Sequence, residues 1–333
     1  MTDSTQTRDQ PPALEWSWPR ALVGAVYGIP AAVVALYDPQ AGLPLALGVL
    51  PAAIMGIPAR RRARISILIV GVLAGASLFL GGVLAHLPLV AGGVLLGAAV
   101  VGAALLACVL PAGRLVLVLC APLVGAGLSY TDYASSAASF LLLSAGAAYA
   151  WLVALLWPPG SAPERKQAPL PSRPAMLDYG IRMGVAAAIV YAIAASLDLD
   201  HPGWAPAACL LVARPQLDLL QSRGVGRVLS VAVGAGAAAL LLWADPADYV
   251  YAIVAVAILA AAAATAKSRW YITSAFATCL VFLMMLNGHV GETAAKFDER
   301  VGETVLGVAA AYLFGWALPA LRAWLADRHR AAT

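Results

Sequence analysis

A proline-containing stretch in the second half of the chain brings a cation, a carboxylate and an amide close together. Arg214 precedes Pro215, Gln216 follows it, and Asp218 lies four residues after Arg214. If a helix resumes after Pro215, Arg214 and Asp218 can face one another, and Gln216 adds a neutral donor and acceptor. An arginine held by an aspartate can grip a carboxylate with two parallel hydrogen bonds. The alternative is an arginine that reaches the membrane surface and is solvated there.

A second polar group opens the last apolar segment, where its members share one helical face: Arg300, Glu303, Thr304 and Gly307. Glu303 is a candidate proton carrier because acidic residues inside membranes are often functional. The alternative is a carboxylate that marks an interface boundary. His201 can titrate near neutral pH, and its alternative is a solvated loop histidine. We predict Arg300, Glu303 and His201 as coupling groups.

The predicted substrate-binding residues are of three kinds, namely cations, polar partners and an aromatic ring: Arg214, Gln216, Asp218, Trp204, Arg223 and Arg227. Basic residues around an inner mouth would raise the local anion concentration. The four cysteines stand singly in apolar runs, so no metal site is predicted. The chain has no phosphate-binding loop, zinc-protease motif, nucleophile elbow or dinucleotide fingerprint, so neither an enzyme nor a cofactor is predicted.

The composition indicates the elements that position these residues. Hydrophobic residues make up 62% of the 333 residues and charged residues only 11%, against roughly a quarter charged in a soluble domain. Residues 65–113 contain no Asp, Glu, Lys or Arg, a run far too long for a soluble core helix. The bilayer is therefore the expected partner. Basic residues lie at segment ends and form no single patch, so nucleic-acid binding is not predicted.

A helix needs about 20 residues to span a membrane, and the boundaries between such helices are expected at Pro, Gly or charged residues. On this basis the chain divides into twelve apolar segments. They are 21–37, 43–57, 65–85, 87–110, 115–128 and 134–157, then 179–197, 204–220, 225–243, 249–266, 270–286 and 301–321. With both termini cytoplasmic, the positive-inside rule is satisfied by most basic residues, and only Lys296 and Arg300 fall outside. The predicted fold is an all-α integral membrane protein.

The two halves repeat. A shift of 163 residues places Arg60 on Arg223, Arg64 on Arg227 and Gly71 on Gly234. Six crossings per half make the repeats parallel. The predicted organisation is a disordered cytoplasmic tail (1–19), a first six-helix repeat (20–157), a cytoplasmic linker (158–176), a second six-helix repeat (177–324) and a cytoplasmic C-terminal tail (325–333).

The stretch 201–234 resembles the fusaric acid resistance and aromatic acid exporter family. The resemblance rests on His201, Pro202 and Trp204, then Pro215, then Arg223, Arg227 and Gly234. It implies paired six-helix bundles in a bacterial inner membrane and export of aromatic carboxylic acids or related weak acids. It also implies a periplasmic adaptor protein as a partner, and we consider a homodimer as well.

The function we expect is secondary export of small organic anions, with proton coupling through Asp218 or Glu303 as one option. An anion that leaves a cell with a negative interior gains about 2.3 kcal/mol per 100 mV, so ATP is not required. Two alternatives stay open. One is a passive organic-anion channel, and the other is a membrane scaffold or envelope-assembly subunit that transports nothing.

Overall fold

A computed structural model describes residues 13–110, 113–158, 170–214, 217–244, 246–286 and 293–332. Every regular element in these ranges is helical. The first half contains α1 (Trp18–Ala35), α2 (Pro39–Met55), α3 (Ile65–Ala85), α4 (Leu89–Leu106), α5 (Gly113–Gly127) and α6 (Tyr133–Leu156). A 3₁₀ turn, Arg61–Arg64, precedes α3, and α5 contains a π-helical turn, Val116–Cys120.

The second half contains α7 (Arg173–Ser196), α8 (Trp204–Val212), α9 (Leu217–Trp243), α10 (Asp248–Ala264), α11 (Trp270–Leu286), α12 (Thr293–Tyr312) and α13 (Leu318–Ala332). A π-helical turn, Leu313–Ala317, joins α12 to α13. The helix therefore continues through most of the segment predicted as a C-terminal tail. Most of the predicted N-terminal tail and linker lies outside the described residues.

Seven helical stretches in the described ranges are long and apolar enough to cross a membrane: Trp18–Ala35, Arg61–Ala85, Leu89–Leu106, Tyr133–Leu156, Arg173–Ser196, Leu220–Trp243 and Ala294–Arg330. Four shorter apolar helices accompany them. The nine residues of α8 span about 14 Å, less than half of a bilayer's hydrocarbon core. These helices agree with the predicted all-α membrane protein. The predicted count of twelve crossings stays a prediction.

Prolines act differently in the two halves. Helix α2 continues through Pro44 and Pro51 and ends at Met55, after which Gly56 adopts a φ of 72° that suits glycine. In the second half, Ala213 leaves the helical region with a ψ of 127°, just ahead of Arg214 and Pro215. Pro215 disfavours helical backbone at Arg214, and the helix predicted over 204–220 has already ended at Val212. The next helix starts at Leu217, earlier than expected.

The helices pair across the halves in a reciprocal manner. Helix α1 packs on α10 of the second half, and α7, the first helix of that half, packs on α4. Within the halves, α2 with α6 matches α8 with α12, and α3 with α5 matches α9 with α11. Between them, α2 with α11 matches α8 with α5. This reciprocity supports the parallel repeat, which stays a prediction.

Both hydrophobic cores draw on the two halves. One core combines α4 and α5 with α7, α8, the start of α9 and α12, and includes Leu96, Met183 and Leu220. The other combines α1, α2 and α6 with α9, α10 and α11. At the contact of α4 with α7, a Cβ added to Gly184 would lie 2.7 Å from the carbonyl oxygen of Gly97. Small residues thus allow the close backbone approach on which helix packing in lipid depends.

Candidate functional site

A group of buried and half-buried side chains lies among the helices of the second half. We call it the Arg227–Arg300 cluster, and its members come from α8, α9, α11 and α12: Trp204, Arg227, Ser274, Arg300 and Glu303. Arg227, Arg300 and Glu303 are 6%, 3% and 2% exposed. Charged side chains are seldom so buried unless they are paired or functional.

Arg300 is held by its neighbours on two sides. Its guanidinium carbon lies 3.9 Å from the centroid of the Trp204 ring, which is cation–π geometry. Its Nη1 atom lies 3.7 Å from Oε2 of Glu303, one turn further along α12. This is an ion pair longer than a hydrogen bond, so Glu303 neutralises Arg300 without saturating it.

Arg227 has a polar but uncharged partner. Its Nη1 donates to the hydroxyl of Ser274 on α11 at 2.8 Å. The Ser230 hydroxyl lies 3.1 Å from Ser274 and belongs to the same helix as Arg227. No described carboxylate forms an ion pair with Arg227, and Arg300 is near enough to repel it electrostatically. The cluster therefore contains two buried arginines and one buried glutamate.

Four atoms of the cluster are buried without a hydrogen-bond partner among the described residues: Nε of Arg227, Nη1 of Arg300, Nε1 of Trp204 and Oε1 of Glu303. Three of them are donors. An unsatisfied buried donor costs about 1–3 kcal/mol, and more when it is charged. Three unused donors around a net positive charge form a site suited to an anion that accepts hydrogen bonds.

Close helix contacts place the cluster. A Cβ added to Gly307 on α12 would lie 2.3 Å from the carbonyl oxygen of Ala205, so glycine lets α8 approach α12 and sets Trp204 on Arg300. A Cβ added to Gly234 on α9 would lie 2.3 Å from the carbonyl oxygen of Ala275. This second contact brings Arg227 within reach of Ser274.

A charged layer lies at the start of α12, on the predicted outer side of the cluster. Glu299 accepts a hydrogen bond from the backbone N–H of His201 at 3.2 Å, and its other oxygen lies 3.9 Å from Nζ of Lys296. Lys296 also pairs with Asp200. Burial lowers the pKa of His201, although the nearby Glu299 acts in the opposite direction. The layer ties the α7–α8 loop to α12.

Arg214 lies at the C-terminal end of α8, where its Nη1 donates to the carbonyl oxygen of Ala213. The hydroxyl of Tyr179 donates to the same carbonyl at 3.1 Å. Arg223 lies 5.1 Å from the centroid of the Trp270 ring. Gln216 and the side chain of Asp218 lie outside the described part of the chain, so their predicted roles and the pairing of Asp218 with Arg214 stay predictions.

Comparison with known families covers the segment that contains this cluster. Residues 186–314 match the fusaric acid resistance protein-like family. The predicted family resemblance is thereby confirmed over this segment. The fusaric acid resistance protein-like segment contains all five members of the cluster. The searches among curated proteins and among solved structures found no match.

Sequence reasoning named four members of the cluster in the fusaric acid resistance protein-like segment but did not bring them together. It assigned Trp204 and Arg227 to substrate binding and Arg300 and Glu303 to coupling, whereas in the structure Arg300 contacts both Trp204 and Glu303, and Arg227 lies near enough to Arg300 to feel its charge. Ser274 was missed. Its signal was a hydroxyl within an apolar helix, in a stretch with Thr273 and Thr278.

The first half shows how differently a matching arginine can be used. Arg64, the predicted counterpart of Arg227, is fully buried and donates to four carbonyl oxygens: those of Pro58, Ala154, Trp157 and Pro158. It therefore caps the C-terminal end of α6. Arg227 and Arg300, two buried arginines with unused donors, lie in the fusaric acid resistance protein-like segment. No group of three metal-ligating residues was found among the described residues.

Proposed function

We propose that the protein is an inner-membrane secondary exporter of small organic anions, with aromatic monocarboxylates as the preferred class. The family match indicates a membrane protein of the transport or efflux type. The observation that carries the finer proposal is the pair of buried arginines, Arg227 and Arg300, with donors that no described residue uses. A carboxylate between them would accept those hydrogen bonds and offset the excess charge.

The charge of the cluster favours a monoanion. When Glu303 is ionised, two arginines and one glutamate leave one positive charge, which a monocarboxylate would neutralise. A dicarboxylate would leave a net negative charge unless Glu303 took up a proton. Because protonation of Glu303 changes the charge of the site, Glu303 is the candidate group for coupling transport to a proton. The Trp204 ring holds one face of the Arg300 guanidinium and leaves its edge donors for the substrate.

The driving force needs no nucleotide. A monoanion that moves from a negative interior to the outside gains about 2.3 kcal/mol per 100 mV. The basic residues that the positive-inside rule places at the cytoplasmic side would concentrate anions at the entrance. Binding to a periplasmic adaptor protein is a proposal that follows from the resemblance, and the homodimer stays a separate proposal.

Transport into everted membrane vesicles tests the proposal. With a lumen-positive potential at alkaline pH, vesicles containing the protein should accumulate radiolabelled benzoate faster than empty vesicles, and should accumulate phthalate less. Arg300→Gln and Arg227→Gln should each lower the protein-dependent rate by roughly tenfold or more, because a charge-assisted hydrogen bond contributes about 1.5–3 kcal/mol.

Arg328 provides a matched control. Its guanidinium carbon also lies 3.9 Å from a tryptophan ring, that of Trp324, but on the exposed surface of α13. Arg328→Gln should leave benzoate uptake unchanged. Rates equal to those of empty vesicles would refute transport and favour a scaffold, whereas steady single-channel currents carried by benzoate would favour a passive channel.

A further inference from the structure

A second positively charged region lies away from the Arg227–Arg300 cluster. An open cavity of about 320 Å³ is lined by α1, the end of α2, the segment that follows it and the end of α6. Two cations, Arg20 and Arg64, line it. The rest of its wall is mostly apolar and includes Val23, Ala53, Ile57 and Trp157. By the positive-inside rule these helix ends lie at the cytoplasmic membrane surface.

The arginines at this cavity have no acidic partner. The side chains of Arg20, which lines the cavity, and of Arg60, Arg61 and Arg62, which precede Arg64 in the chain, form no hydrogen bond or ion pair with any described residue. The guanidinium of Arg20 extends from α1 to the end of α2, where its Nη2 lies 3.1 Å from the Cβ position of Gly56. Arg64 is satisfied only by carbonyl oxygens, so its charge is not neutralised by a carboxylate. The cavity is thus electropositive.

The apolar side of the cavity continues toward lipid. Val23, Ala53 and Ile57 lie beneath the arginines, and Leu22 on α1 is 62% exposed in a helix long and apolar enough to span the membrane. Just before α1, the rings of Trp16 and Trp18 meet edge to face with centroids 5.3 Å apart. Exposed tryptophans at a helix end are typical of the membrane–water interface.

From this geometry we propose that the cavity binds the head group of an anionic phospholipid of the cytoplasmic leaflet. The phosphate lies against Arg20, with Arg60, Arg61 and Arg62 around the mouth, and the glycerol and upper acyl chain lie along Val23 and Ile57. Basic pockets between membrane helices on the cytoplasmic side recognise anionic head groups in this way. The apolar wall selects a lipid over a soluble anion.

Electron paramagnetic resonance of spin-labelled lipids tests this site with the full-length protein in phosphatidylcholine nanodiscs. Acyl-labelled phosphatidylglycerol should be immobilised at least about threefold more than acyl-labelled phosphatidylcholine. Arg20→Gln combined with Arg60→Gln, Arg61→Gln and Arg62→Gln should bring the ratio close to one. Arg322→Gln, an exposed arginine on α13, should leave the ratio unchanged.

Two further arms separate the outcomes. Raising the salt concentration should lower the selectivity of the wild-type protein, a readout that does not depend on the fold of a variant. Arg300→Gln should keep the selectivity, so this site and the proposed transport site fail independently. Equal immobilisation of both lipids would overturn the proposal, and so would displacement of the labelled lipid by soluble glycerol phosphate at matched ionic strength.

Discussion

At the scale of single residues, Arg64 and Arg227 show why a sequence pattern does not by itself define a role. Both are the second arginine of an Arg-x-x-x-Arg group, but Arg64 directly precedes α3 whereas Arg227 lies within α9. Arg64 is saturated by carbonyls of α6 and the residues after it, whereas Arg227 has one serine hydroxyl and an unpartnered Nε. These partners lie 47 to 94 residues away, so spacing alone cannot reveal them.

His201 gives a pH dependence whose sign follows from its environment. Burial lowers its pKa in the folded protein below the ordinary value of about 6.5, against the opposing effect of Glu299 and together with repulsion from Arg300. The unfolded chain therefore binds more protons in this range. Stability should fall as the pH drops from about 6.5 to the folded-state pKa, and then level off.

Thermal unfolding of the purified protein over that pH window measures this effect. His201→Gln should flatten the loss of stability between neutral and mildly acidic pH, while His329→Gln, in the exposed part of α13, should follow the wild-type curve. Identical curves for wild type and His201→Gln would show that the histidine does not resist protonation in the folded state.

At the scale of helices, the contact of α8 with α12 controls the site through one glycine. Gly307→Ala would place a methyl group 2.3 Å from the carbonyl oxygen of Ala205, so the helices must separate. Trp204 would then move away from Arg300, and benzoate transport should fall several-fold together with thermal stability. Gly302→Ala on the same helix meets nothing within 4 Å and should be silent or slightly stabilising.

Comparing those two variants by vesicle uptake and melting temperature therefore isolates the contact from helix propensity. If Gly307→Ala and Gly302→Ala behaved alike, the close approach of α8 to α12 would not be what positions Trp204.

The positions of most helices could be predicted from the sequence. Apolar runs, prolines and charges located most elements, because lipid demands long uninterrupted helices. The exception is informative. The sequence predicted one helix over 204–220, but α8 ends at Val212, so Arg214 lies in a non-helical segment and Asp218 in the first turn of the next helix. The predicted four-residue spacing therefore does not run along one continuous helix.

At the scale of the whole molecule, the two halves interlock. Helix α1 packs on α10 and α4 on α7, and each hydrophobic core contains residues of both halves. The sequence predicted two similar halves, but it did not predict this exchange, in which helices of each half pack on helices of the other. Many helices here are apolar on every side, so no hydrophobic face indicates which neighbour a helix meets.

This exchange predicts that neither half is stable alone. Residues 1–160 and 161–333, expressed separately, should each be degraded or aggregate, because each leaves half of both cores exposed. Coexpression should restore a complex that copurifies through a tag on one fragment. A stable monodisperse 161–333 fragment would contradict the shared cores, even though it contains the entire family-matched segment.

The central claim is that the Arg227–Arg300 cluster binds an organic monoanion. Equilibrium binding of benzoate to the purified protein, measured by titration calorimetry, tests it most directly. We expect one saturable site per chain, with the dissociation constant raised roughly tenfold or more by Arg227→Gln and unchanged by Arg328→Gln. Equal affinity of wild type and Arg227→Gln would contradict it.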